Sequence, residues 1–140
     1  MKKLLLLTIV ALVSLSAKGY EGSPSEQVSQ FFTELKAGEN SKAIDNLYSS
    51  NPLMSQKPQQ LTLLKQQLGV IEPLLGSFFG SENIHTEQLS PSLIRIVQLA
   101  KHESHPVIWE FYFYRAKDKW VISHGVFNDQ FQFIEAKKGM

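Results

Sequence analysis

The hydrophobic period changes once along this chain, and that switch limits the folds open to it. From Ser23 to about Phe79 apolar residues recur at helical spacing, and from Glu82 onward they recur every second residue. Helices gathered in one half and strands in the other describe an α+β fold, with helices packed on one face of a sheet.

The helical half opens on Ser23-Pro24-Ser25-Glu26. Ser23 suits the cap, Pro24 the first helical position and Glu26 the reciprocal place in a capping box. Val28, Phe31, Phe32 and Leu35 follow on one face, and Gly38 is a natural stop. A second, shorter helix starts at Asn40 or Ser41, with Ala43, Ile44, Leu47 and Tyr48 apolar. After a polar loop from Ser49 to Lys57, Pro58 opens a third helix, expected to run to about Phe79. Its stripe is Leu61, Leu64, Leu68, Ile71, Leu75 and Phe78, broadened by Leu63, Val70, Leu74 and Phe79. So apolar a helix is expected to lie largely buried. Pro73 cannot donate to the Gly69 carbonyl, which predicts a kink or break between them.

The strand half has a weak segment at Glu82–Leu89, then Leu93–Lys101, Val107–Arg115 and Trp120–Phe133, the last either one long strand or a strand with a bulge near Gly125. Its connections are short, which favours antiparallel neighbours. A turn at Ala116–Lys119 places Arg115 opposite Trp120, Phe113 opposite Ile122, Phe111 opposite His124 and Trp109 opposite Val126. The preceding turn places Ile96 beside Phe111 and Gln98 beside Trp109. The inward face then reads Ile94, Ile96, Trp109, Phe111, Phe113, Ile122 and Val126, with Gln98 and His124 as its polar members. The outward face carries Arg95, Val97, Leu99, Ile108, Glu110, Tyr112, Tyr114, Val121, Ser123 and Phe127. A one-residue slip would exchange the faces.

Met1–Gly19 has the order of a secretory signal peptide: Lys2-Lys3, an apolar run from Leu4 to Val13, then small polar residues. The run is far short of the roughly 18–20 residues of a membrane-spanning helix. The domain plan is therefore 1–19 signal peptide, 20–135 one α+β domain and 136–140 a frayed tail. The product is expected in the periplasm or outside the cell, without a membrane partner. Loss of Lys2, Lys3 and Lys18 takes the basic count from 14 to 11 against 13 acidic residues, a net charge of −2. That balance argues against nucleic acid as a partner. The chain has no cysteine, which excludes a lipidated N-terminal Cys, thiol chemistry and Cys-ligated zinc, and leaves packing to supply stability.

Chemistry-bearing constellations are sparse. His124, on the expected inward face, reads either as a pocket base or as a core histidine with its hydrogen bonds satisfied. His102 and His105 share a turn with Glu103, but no third ligand is near and His85 is distant, so no metal is expected. Arg95 and Glu110 are placed as a diagonal pair on the outward face. Asn128-Asp129-Gln130 interrupts the last strand, at a pocket mouth or at a bulge.

The run Val28-Ser29-Gln30-Phe31-Phe32-Thr33-Glu34-Leu35-Lys36-Ala37-Gly38-Glu39, with Ala43 and Leu47-Tyr48 after it, is similar to the opening helices of the nuclear-transport-factor-2-like superfamily. Trp109–Arg115 followed by Asp118-Lys119-Trp120-Val121-Ile122 resembles that group's last hairpin. The resemblance implies that the helices, two short and a longer one kinked at Pro73 as read above, pack on a strongly curved antiparallel sheet in a cone, although a long third helix with an internal proline departs from the commoner layout of that group. It also implies a pocket at the wide end and dimerisation through the sheet, and it carries no catalytic signature.

These readings give an exported domain that binds a small apolar ligand or a protein partner without catalysis and without a cofactor. The ligand is expected against Ile96, Gln98, Trp109, Phe111, His124 and Asn128. A homodimer is expected through Arg95, Ile108, Glu110, Tyr112, Tyr114 and Phe127. Two alternatives stand: a small enzyme of isomerase or dehydratase type, with His124 as base on a hydrophobic substrate, and a pure dimerisation or assembly module.

Overall fold

A computed structural model describes residues 22–133; the expectations for the signal peptide and the tail lie outside those residues. Helix α1 spans Pro24–Lys36 behind the expected capping box. The Ser23 hydroxyl accepts from the Glu26 amide at 3.2 Å, and the Glu26 carboxylate accepts from the Ser23 amide at 2.7 Å. Those bonds hold the Glu26 carboxyl below the usual carboxylate range. Helix α2, Asn40–Ser49, buries Ala43, Ile44, Leu47 and Tyr48, the face its spacing predicts.

The third helix breaks where proline requires. Helix α3 runs Pro58–Gly69, and after Val70 a short α4 covers Ile71–Leu75. It does not reach Phe79. Gly76, at φ +88°, ends α4 in a conformation that glycine adopts without strain. Phe78 then opens a strand and stacks on Phe32, ring centroids 5.7 Å apart. The expected deep burial of this helix is also corrected. Leu68 is the one buried residue of α3, whereas Leu63, Val70 and Leu74 are exposed.

Four strands form one antiparallel sheet in chain order: β1 Phe78–Ser90, β2 Leu93–His102, β3 Val107–Tyr114 and β4 Val121–Asn128. The helices pack on one face of it, which gives the expected α+β class. The β2–β3 register pairs Ile96 with Phe111 and Gln98 with Trp109, as the turn predicts. In the last hairpin Phe113 pairs with Ile122, again as expected. The next pair is Tyr112 with His124, so Ser123 is an extra residue and β4 is bulged there. Beyond the bulge, Phe111 faces Gly125 and Trp109 faces Phe127, in place of His124 and Val126. His124 and Val126 therefore move to the outward face, and Phe127 to the inward one.

Helix α2 accounts for this shift. The Tyr48 hydroxyl lies 3.4 Å from the Gly125 carbonyl oxygen, and a Cβ at position 125 would sit 2.6 Å from that hydroxyl. A glycine in a strand marks such a close approach. On the other side of the bulge, the Asn51 amide donates to the Ile122 carbonyl at 2.7 Å and the Ile122 N–H donates to Ser50 at 3.3 Å. The end of α2 thus covers main-chain groups of an edge strand that would otherwise be open to another chain.

The core is aromatic and interlocked. Phe31 meets Trp109 edge-on at 4.9 Å, Trp109 stacks on Phe111, and Phe32 meets Phe31, Phe111 and Phe78. Buried Gln27 ties α1 to the start of β4, its amide donating to the Trp120 carbonyl at 3.0 Å.

Candidate functional site

Most residues expected to hold a ligand instead fill this core. Ile96, Trp109 and Phe111 are buried among α1 and α2, and Gln98 is half-buried on the same face opposite Trp109. The space left beside Trp109, bounded by Leu35, Leu68, Phe78 and His102, is about 10 Å³. That volume is at the lower limit for one water and far below an organic ligand. His124 is exposed on the opposite face, its ring centroid 6.1 Å from that of Tyr112. These five of the six residues expected to meet in one pocket are thus divided between the interior and the far side of the sheet.

The outward face carries a buried ionic cluster. Arg95 Nε donates to Glu110 Oε1 at 2.8 Å, the Tyr112 hydroxyl donates to the same oxygen at 2.9 Å, and Arg95 reaches Glu87 at 3.4 Å. The diagonal placement of Arg95 and Glu110 is as the sequence indicates. Burial and the bond to Glu110 both raise the Tyr112 pKa. An open depression of about 470 Å³ lies over this cluster, bounded by Leu93, Glu110, Tyr112, Ser123, His124 and Val126. The residues expected at a dimer interface divide here. Tyr114 is 46% exposed and Tyr112 half-buried, but Arg95 and Ile108 are at 1% and 0%, Glu110 is buried, and Phe127 faces inward against Trp109. The bulge at Ser123 is what turned Phe127 around.

The turn histidines serve the main chain. His102 Nδ1 lies 2.9 Å from the Gly76 carbonyl oxygen, and His105 Nε2 lies 2.9 Å from that of Asp129. Each ring fixes a different loop, and His85 pairs with Glu87 at 3.7 Å on β1.

A cleft opens where the broken helix meets the sheet's end. It encloses about 340 Å³ between Val70, Ile71, Leu74 and Leu75 on one side and Val107 and Phe127 on the other. Gln67, Asn128 and Asp129 supply its polar groups. The helix break creates it, because α4 departs from α3 at Val70 and presents a second row of aliphatic side chains. Leu74 is 75% exposed and Val70 61%. Phe127 lines it too, with its ring 4.5 Å from that of Trp109. Of the residues expected to bind a ligand, Asn128 alone lies here. Val70, Leu74 and Phe127 were legible as apolar, but the sequence places the first two in a buried helix and the third on the outward face. Their one signal was an apolar width in the third helix greater than a single buried stripe needs.

In comparisons with known proteins, no family model, curated protein or solved structure matches this chain.

Proposed function

We propose that this chain is an exported, non-catalytic binding domain of the cone-shaped fold, holding a small apolar ligand in the cleft between α3–α4 and the ends of β3 and β4. The observation that carries this reading is the cleft's size and its mainly aliphatic and aromatic lining: about 340 Å³, against about 10 Å³ beside Trp109 and against a wider depression on the outward face lined by Glu110, Ser123 and His124. Ligand pockets begin at roughly 300 Å³ and are mostly apolar with a few polar groups. The helix-then-meander order supports the cone, and the charged-then-apolar N-terminus supports export. Among the described residues, Asp129 is the single carboxyl or imidazole group in the cleft lining, and a lining so poor in acid–base groups supports binding over catalysis.

The uncharged fluorophore N-phenyl-1-naphthylamine tests the cleft. It should bind one to one and perturb Trp109 fluorescence through Phe127. Replacing Val70 and Leu74 together by Ser should weaken binding about tenfold through lost apolar contact. Both side chains are mostly exposed, so the melting temperature should hold. Unchanged affinity in that variant would sink the reading.

Self-association through the outward face is a second reading, supported by exposed Tyr114 beside the open depression at Tyr112 and His124. Sedimentation at micromolar concentration decides it, and a clean monomer removes it.

A further inference from the structure

The cleft's polar groups are one-sided in charge. Among the described residues its lining holds Gln67, Asn128 and Asp129 and no Lys, Arg or His. The Asp129 carboxylate belongs to no ion pair among the described residues, while the Asp129 main-chain oxygen is already held by His105 at 2.9 Å. Asn128 Oδ1 accepts from the Gln130 amide at 3.0 Å, which folds the chain back and sets residue 129 at the cleft rim. Phe127 adds an aromatic ring to the lining, and aromatic rings attract cations. An aliphatic wall, an aromatic ring and one carboxylate make a complementary lining for an apolar body with a positive head. A carboxylate-headed ligand would meet a like charge with no cation among the described lining residues to offset it.

We infer that this cleft selects cationic amphiphiles, an alkyl or aryl body bearing an ammonium group that sits against Asp129. The inference rests on the cleft being the binding site, and it adds the chemical class of the ligand.

The test displaces N-phenyl-1-naphthylamine from the purified protein at neutral pH and low salt. Competitors are dodecylammonium and dodecanoate, each below its micelle concentration, and dodecanol below its solubility limit. Dodecylammonium should compete at about fivefold lower concentration than dodecanol, the size expected of a partly exposed ion pair, with dodecanoate weaker than both. Raised salt should narrow that gap. Asp129→Asn should bring dodecylammonium level with dodecanol and leave dodecanol unchanged. If dodecanol or dodecanoate competes as well as the amine, or if Asp129→Asn preserves the amine's advantage, the charge selectivity is wrong while the cleft stands. If the probe itself fails to bind, the cleft reading falls and the selectivity with it.

Discussion

Tyr48 and Gly125 show how a single contact sets the sheet's geometry. Burial pushes the Tyr48 phenol up to about 12 from an ordinary 10.0, because a phenolate there would lose its water. Between those values the unfolded chain has released the proton and the folded chain retains it. Stability must therefore fall as pH rises from 10 to 12, by about 2–3 kcal/mol at the upper end. Tyr48→Phe should remove that part of the alkaline loss, measured as urea unfolding free energy at pH 9 and pH 11.5. Equal losses in both proteins would contradict it. At neutral pH the same substitution should cost about 1 kcal/mol or less, since its 3.4 Å hydrogen bond is long. Gly125→Ala forces a methyl to 2.6 Å from the Tyr48 hydroxyl and should cost about 2 kcal/mol. Combined with Tyr48→Phe, which removes the offending oxygen, the cost of the alanine should shrink. Additive costs in the double-mutant cycle would show that the contact does not fix the strand.

At the scale of elements, what was legible in the sequence was local. The α1 cap, the buried faces of α1 and α2 and the break at Pro73 are each decided within a few residues, and the structure has them. The β2–β3 register follows from its turn. The parity of β4 does not, because Ser123 is displaced by a contact between residues 77 apart in the sequence. From Ile122 onward, counting by twos gives the wrong face for His124, Val126 and Phe127. The candidate site was hidden for a related reason: Val70 and Leu74 look like core residues until α4 turns away at the break. The bulge makes a sharp prediction. Deleting Ser123 leaves Ile122 opposite Phe113 and His124 opposite Tyr112, so the sheet becomes regular without moving any side chain between faces. The deletion should cost no more than about 1–2 kcal/mol. Deleting Val126 instead sends Phe127 outward and away from Trp109, and should cost about 3 kcal/mol or more. Thermal melts of the two deletions should differ widely, and a reversed order would mean that Ser123 is not the extra residue.

For the whole molecule, absence of cysteine leaves the packed core as the holding force, and the elements share it unequally. Helix α1 commits Val28, Phe31, Phe32 and Leu35 to it, and β3 commits Val107, Trp109, Phe111 and Phe113. Helix α3 commits Leu68 and α4 commits Ile71, with Leu61, Leu64 and Leu75 only partly covered. Few buried contacts mean a low local opening free energy, so α3–α4 should open without the rest of the domain. Hydrogen exchange should therefore show α1 and β3 protected to the level of global unfolding, and α3–α4 exchanging at least about tenfold faster, a gap of roughly 1.4 kcal/mol. These are also the elements that wall the cleft, so the part of the fold expected to open first controls entry to it. A bound ligand that touches Val70, Ile71, Leu74 and Leu75 stabilises the closed wall by mass action. Adding N-phenyl-1-naphthylamine at saturating concentration should slow exchange in α3–α4 selectively, with α1 and β3 nearly unchanged. Uniform slowing across the domain would place the ligand on the core elements, and protection of α3 equal to that of α1 in the free protein would remove the mobile wall.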